Sequence, residues 1–585
     1  MLFNLNPTII VSPSIELKAE LSYRPVDYFR KRVIPTRKYL SGNWTSLITT
    51  HTSPSKVFEE TNHSDLYTVN AYANFNKSFG IHNFSGVAGF NQEWYKYRYM
   101  SAEGQNILTD NMPVINGTTG NQYASDGWSH WAIRGAFGRI NYNLKDRYLL
   151  ELNGRYDGTS RFGKDSRFKF FPSASAAWRI SEEEFMSSTR DWLDNLKVRA
   201  SWGALGNQNV ATYAYIPEYG SVGYVSFDMG GERPMGITPP GLISPNLTWE
   251  TATTLDFGLD FNMFGNKLET TFDWYSRKTT DILMDGAKYP AVLGASSPRT
   301  NSGTLRTDGW ELSVAWRDNL SNGIKYNLGL VLSDYMTEVV NFEGNPNKLL
   351  SSLYSGMKMG EIWGYETVGI LQESDFTITD GKYVLNGPSQ SKIASVWYPG
   401  DIRYKNLNDD DEISPGDNTV DNPGDRRIIG NNTPRLRFGV TGGMSWKNID
   451  LSIFFQGIGK RDVWIGDNAF WGGPSTAGNM DLYKQSWTPE RLDAKYPIYA
   501  GRGQNQQVQT GYLFNGALLR LKTLTVGYTL PRDLVEKVQL NQLRVSVSGY
   551  NVFEFTNIPN VFDPDLLSSS YPMMRSLAFN LQVGF

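Results

Sequence analysis

The sequence predicts an all-β chain, a transmembrane antiparallel β-barrel with long extracellular loops and short periplasmic turns. Three observations carry this reading. Apolar and polar residues alternate with a period of two along most of the chain. The connections between the alternating segments are long and short in turn. No stretch approaches 18 consecutive apolar residues in 585, which excludes helical membrane spans. Barrel strands average out as polar, so a mean hydropathy of −0.41 fits them.

Sixteen strands are expected, at 15–23, 65–77, 82–97, 130–143, 148–157, 172–180, 195–203, 248–262, 267–277, 309–317, 324–338, 434–446, 450–457, 517–530, 542–551 and 577–585, with Met1–Ile9 as the remnant of another. The clearest alternate without a break: Leu255, Phe257, Leu259 and Phe261 against Asp256, Gly258 and Asp260, and Ile324, Tyr326, Leu328 and Leu330 against Lys325, Asn327 and Gly329. Leu577, Phe579, Leu581, Val583 and Phe585 do the same at the end of the chain. Phe585 has the aromatic terminal position expected of an assembly signal read by insertion machinery. Helical patterns are short; the best is Ser181-Glu-Glu-Glu184, spaced as a capping box ahead of Phe185.

The connections 24–64, 98–129, 158–171, 204–247, 278–308, 339–433, 458–516 and 552–576 are long, and 78–81, 144–147, 181–194, 263–266, 318–323, 447–449 and 531–541 are short. Antiparallel neighbours place alternate connections at opposite ends of a sheet. One end therefore carries tight turns and the other large loops, the asymmetry of outer-membrane barrels. The two largest loops, 339–433 and 458–516, fall on the extracellular side. Phe257, Leu259 and Leu328 should face lipid, where arginine at Leu259 would be costly and arginine at the lumen-facing Asp260 far less so.

Composition narrows the function. A net charge of −3 gives no basic footprint for nucleic acid. The absence of cysteine removes disulfides, thiol chemistry and zinc knuckles. The four histidines have no metal-ligand spacing, and no nucleophile elbow or His-Glu-x-x-His is present, so an enzyme is not expected. The N-terminus lacks the basic and apolar regions of a signal peptide.

Aromatics make up 14% of the chain. Trp202, Trp274, Tyr275, Trp310 and Trp446 sit at or near strand ends, where rings form interface girdles. Trp128, Trp363, Trp397, Trp464, Trp471 and Trp487 lie in long connections and are candidate substrate-binding residues. Such rings stack on sugars, yet loops this long also need small cores of their own. Asn406, Asn408, Asp410 and Asp417 stand at positions 1, 3, 5 and 12 of a calcium-type loop, with Asp411 where glycine should be and Asp rather than Glu at the twelfth. A Ca2+ site and a solvated acidic turn both fit.

Several segments together resemble the SusC/RagA family of TonB-dependent outer-membrane transporters. They are Arg155-Tyr-Asp-Gly-Thr-Ser-Arg-Phe-Gly163, Phe171-Pro-Ser173, Trp178-Arg-Ile-Ser181, Arg199-Ala-Ser-Trp-Gly203 with Gly206-Asn-Gln208, Gly424-Asp-Arg-Arg-Ile-Ile-Gly-Asn431, Phe454-Phe-Gln-Gly457 and Tyr528-Thr-Leu-Pro531. The resemblance covers essentially residues 1–585 and implies the C-terminal part of a 22-stranded barrel. Signal peptide, plug and first strands would be absent, as in a truncated member or gene fragment. It implies a Gram-negative outer-membrane location and uptake of glycan or peptide fragments. Its implied partners are a SusD-like surface lipoprotein and the TonB-ExbB-ExbD complex, the latter acting through the missing plug. A passive or adhesive barrel and a soluble carbohydrate-binding all-β protein are the competing readings.

Overall fold

The computed structural model describes residues 2–40, 47–49, 54–224, 235–244, 246–286, 289–295, 297–472, 480–568 and 571–585. Eighteen strands belong to one sheet. In chain order they are β1 (Phe3–Leu5), β2 (Thr8–Ser12), β3 (Ile15–Ile34), β4 (Lys56–Phe79), β5 (His82–Gln105), β6 (Gln122–Leu144), β7 (Tyr148–Thr159), β8 (Phe168–Arg179) and β9 (Leu193–Asn207). The remainder are β10 (Glu250–Met263), β11 (Leu268–Asp285), β12 (Arg299–Asn319), β13 (Ile324–Asn341), β14 (Arg435–Trp446), β15 (Ile449–Lys460), β16 (Leu518–Thr529), β17 (Gln542–Thr556) and β18 (Ser576–Gly584).

Each of the sixteen expected strands is present, as β3 to β18. The N-terminal remnant is one arm of a hairpin on β3. Asn4 pairs with Ser22 and Ile9 with Leu17, and the arm is split into β1 and β2 at Pro7, which has no N–H to give the ladder. Long and short connections alternate as expected, except that 160–167, expected to be long, is shorter than the following 180–192. At the short end, Phe264, Gly265 and Asn266 all take positive φ, a conformation that closes a tight antiparallel turn. Ser181-Glu-Glu-Glu184 does not form a capping box. The Ser181 hydroxyl is buried without a partner, Glu183 accepts the Trp178 indole N–H at 3.0 Å, and the segment makes two 3₁₀ turns.

Strands overrun their expected ends on the long-loop side. β3 continues to Ile34 and β4 begins at Lys56, in register throughout. The added residues are held by cross-strand charge pairs, Arg30 with Glu60 at 2.7 Å and Lys31 with Glu59 at 3.0 Å. Apolar residues such as Val26, Tyr28, Phe29 and Val33 are scattered among charged ones on both faces there, so no clean alternation marks them. The same overrun places Trp128 on β6, opposite Arg98, rather than in a loop.

Two compact units are distinguished. The first holds residues 1–176, 202–252 and 289–301. On the apolar face of its strands, Phe3, Tyr23, Tyr67 and Trp94 lie in register and stack at 6.0, 4.7 and 5.1 Å between centroids. A second row, Phe79, Phe84 and Tyr142, gathers at the short-turn end. Ten positions separate Phe84 from Trp94 on β5. At ~3.4 Å per residue and a tilt of ~40°, the rows stand roughly 26 Å apart, the height of an outer-membrane apolar band. Ile15, Leu17, Ala19 and Leu21 fill the interval on β3, while the opposite face carries Glu20, bonded to Asn70 at 3.0 Å and Tyr72 at 2.8 Å.

The second unit holds residues 177–201, 253–288 and 302–585. Its strands repeat the division of faces. Phe257 and Leu328 are 49% and 53% exposed on the apolar face. On the polar face, Arg199 reaches Asp256, Asp260 and Asp273, and Lys197 meets Asp260 at 2.7 Å. The expectation that arginine at Asp260 would be cheap is therefore corrected. It would set a third cation against Lys197 and Arg199.

One irregularity re-aims a side chain. Phe454 pairs with Thr523 and Phe455 with Leu521, so Lys522 is an extra residue in β16. Below it Thr525 bonds Ser548 across the polar face at 2.9 Å. Beyond it Arg520 faces that same side, opposite Glu554.

Candidate functional site

Above β13 to β17 the long connections fold into an assembly of their own. Glu361–Tyr365 pairs with Arg426–Asn431, Thr367–Ile370 with Ile402–Tyr404, and Asp462–Trp464 with Leu513–Asn515. A parallel bridge between Tyr365 and Gln509 joins the two largest loops. Their apolar residues form one core that includes Leu371, Ile402, Tyr404, Ile465, Phe470 and Tyr512. Burial pushes the Tyr365 phenol up to about 12, and Tyr404 well above its ordinary value.

The polar centre of this core is Asp401, fully buried. Its carboxylate accepts from the Tyr398 N–H at 2.9 Å, Arg502 Nη1 at 2.9 Å, Gln504 Nε2 at 3.3 Å and Asn505 Nδ2 at 2.9 Å. Gln509, also fully buried, donates to the Asn505 and Gln507 carbonyls and the Tyr404 hydroxyl. Arg502, Gln504 and Asn505 arrive from about a hundred residues away, so Asp401 clamps one loop to the other. A second clamp holds Asp563, Pro564 and Asp565 of the last long connection. Arg520 donates to Asp565 at 2.7 Å and Asp563 at 3.3 Å, and Arg461 donates to the Pro564 carbonyl at 2.8 Å.

The candidate binding tryptophans divide into three groups. Trp397, Trp471 and Trp487 are buried, and their indole N–H groups are spent on the Ala394 carbonyl, the Ile465 carbonyl and Gln372 Oε1. They are core residues, and no ring face is free to stack on a sugar. Trp363 and Trp464 are half-buried and line a cavity of about 740 Å³ together with Glu361, Arg426, Arg461 and Asp462. Trp128 stands apart on β6, 69% exposed and stacked on His130 at 5.3 Å. Sequence reasoning missed Arg461, Asp401 and Arg520, because nothing local marks an arginine or aspartate as buried.

The acidic segment makes a closed turn. Asn406 Oδ1 accepts the N–H groups of Asn408 and Asp409, Asn408 Nδ2 donates to Asp410 at 2.7 Å, and Asp410 Oδ1 accepts the Glu412 N–H. Asp417 is held in the following turn by Asn422. Among the described residues no group of three or more His, Cys, Asp or Glu is placed to hold a metal. The fit to Ca2+ is poor, because the amides and backbone already occupy these oxygens. Asp425 fixes the turn by accepting the Leu407 and Ser414 N–H groups at 2.7 Å each, and Gly424 before it takes a φ of +62° against the Gly416 backbone.

Other recognisable segments are likewise packing devices. Phe162 and Phe171 enclose Trp249 at 5.6 and 5.4 Å, and a Cβ at Gly206 would come within 2.1 Å of the Phe171 ring. Phe585 lies one residue past β18, 90% exposed.

A family model described as TonB dependent receptor-like, beta-barrel, matches residues 13–552. TonB-dependent receptor P3 of Formosa agariphila is 28% identical over 558 residues, covering 90% of this chain and 53% of that protein. TonB-dependent receptor SusC of Bacteroides thetaiotaomicron is 24% identical over 511 residues, covering 84% and 47%. The structure of the RagAB peptide transporter superposes with a TM-score of 0.78 at 21% identity, covering all of this chain and 62% of that one. The chain spans about half the length of the curated relatives it matches.

Proposed function

The chain belongs to the TonB-dependent receptor β-barrel family, where it is SusC/RagA-like and resides in the Gram-negative outer membrane, and from that premise we propose that it forms the barrel of an importer of glycan or peptide fragments. TonB supplies the energy in this reading, and a SusD-like surface lipoprotein covers the extracellular loops. The soluble alternative is set aside by the outer-membrane family. The observation that carries import over a passive or adhesive barrel is the loop assembly. It has its own core, two charge clamps and a cavity of about 740 Å³, which is the size of a specific ligand site. An adhesive barrel has no need of a pocket above a polar wall such as Lys197, Arg199, Asp256 and Asp260 provide. Trp363 and Trp464 are the tryptophans offered to ligand.

Two measurements test this. Uptake of labelled fragments by cells expressing the full-length receptor should be lost when TonB is deleted; uptake that persists would favour a passive pore. Protease added to intact cells should cut within 342–434 or 461–517 and spare the turns at 264–267 and 447–448. Cleavage at those turns would invert the topology and overturn the reading.

A further inference from the structure

The cavity within the loop assembly is lined by two arginines and two acids that do not pair with one another. Two arginines line it, Arg426 and Arg461. Arg426 spends its donors on neutral oxygens: the Pro423 carbonyl at 3.2 Å, the Pro415 carbonyl at 2.7 Å and Asn418 Oδ1 at 2.9 Å. Arg461 is only 8% exposed, and among the described residues its guanidinium's one hydrogen bond goes to the Pro564 carbonyl. Its Nε is buried with no partner, close under Gly516, where an added Cβ would come within 2.9 Å. Neither guanidinium has a carboxylate within 4.0 Å among the described residues.

The acids on the wall do not answer them. Glu361 accepts the Tyr354 hydroxyl, and burial holds its carboxyl above the usual range. Asp462 accepts the Asn431 N–H at 2.9 Å. The charge of Asp565 acts on Arg461 but its carboxylate is bonded to Arg520, so Arg461 is buried without a directly bonded counter-ion. A well-placed carboxylate would return part of that cost, because a charge-assisted pair in a partly dry site is worth about twice a neutral bond. Trp363 and Trp464 offer flat apolar surface beside these cations.

We propose that this cavity selects a carboxylate-bearing ligand, with Arg461 as the group that pairs with the carboxylate and Trp363 and Trp464 as the surface that packs its body. The inference rests on the import reading and deepens it by naming a ligand chemistry. Acidic oligosaccharides and acidic peptides share that chemistry.

The test uses the full-length receptor purified in detergent, without TonB, so that binding is read apart from transport. Calorimetric titration compares trigalacturonate with its carboxyl-reduced trisaccharide, and a glutamate tripeptide with the amidated glutamine tripeptide. One acidic probe should bind at least tenfold more tightly than its neutral counterpart, and which one does so separates the two sources. In folded Arg461→Gln the ratio of acidic to neutral affinity should fall to about one, whatever the absolute affinities become, and Arg461→Lys should restore part of it. The wild-type comparison stands even if a variant fails to fold. Equal affinity within both pairs, no binding of either acidic probe, or a preference that survives Arg461→Gln in folded barrel would each overturn the proposal. None of these outcomes bears on TonB-dependent uptake, which is measured separately.

Discussion

Arginine in place of Phe257 is expected to destabilise the barrel by ~2–4 kcal/mol, the cost of a cation near the middle of the hydrocarbon. Phe257 stacks on Trp274 at 6.1 Å on the apolar face and stands seven positions from the short turn that begins at Phe264. At ~3.4 Å per residue and a tilt of ~40°, that is roughly 18 Å from the turn, within reach of an apolar band ~25 Å tall. Arginine at Ser452 is the control, because this exposed side chain shares the polar face of β15 with Asp450, which pairs with Arg544 at 2.5 Å. Its cost should stay below ~1 kcal/mol. Folding titrations in lipid vesicles read both variants, and equal costs would refute the assignment of faces.

Asp401→Ala is expected to unfasten the loop assembly, at about 3–5 kcal/mol, because it strands Arg502 and three further donors inside the core. The effect should be local. Hydrogen exchange should accelerate across 367–404 and 502–512 while β13 to β17 keep their protection and the barrel keeps its heat-modifiable mobility on gels. Asp401→Asn retains the shape and some acceptor capacity and should fall between. Loss of the whole barrel in Asp401→Ala would show that loops and strands fold as one cooperative unit.

The strands were legible because a sheet with one apolar and one polar face writes a period of two into the chain. Legibility stopped where that contrast stopped. The outer reaches of β3 and β4, with polar and apolar residues mixed on both faces, are strand through pairs such as Arg30 with Glu60. The loop tryptophans were undecidable from sequence because burial depends on distant partners. Trp487 is core through Gln372, and Tyr404 through Gln504, each about a hundred residues away. Arg520 illustrates the same limit. Unbroken alternation from Thr525 assigns it to the apolar face, and only the extra residue reverses that.

That extra residue has a consequence for the gene. Elsewhere in β16, loss of one codon turns everything beyond it to the opposite face, and would swing Arg520 away from Asp563 and Asp565. At codon 522 the same loss makes β16 regular against β15, leaves Asn551 and Val552 as the looped-out pair on β17, and keeps Leu519, Arg520 and Leu521 facing as they do now. Strand length and side-chain facing are uncoupled at this one position of β16. Drift in length is therefore expected to be tolerated there and purged on either side, so that the rim of the barrel can be re-cut over generations without exposing its buried cation.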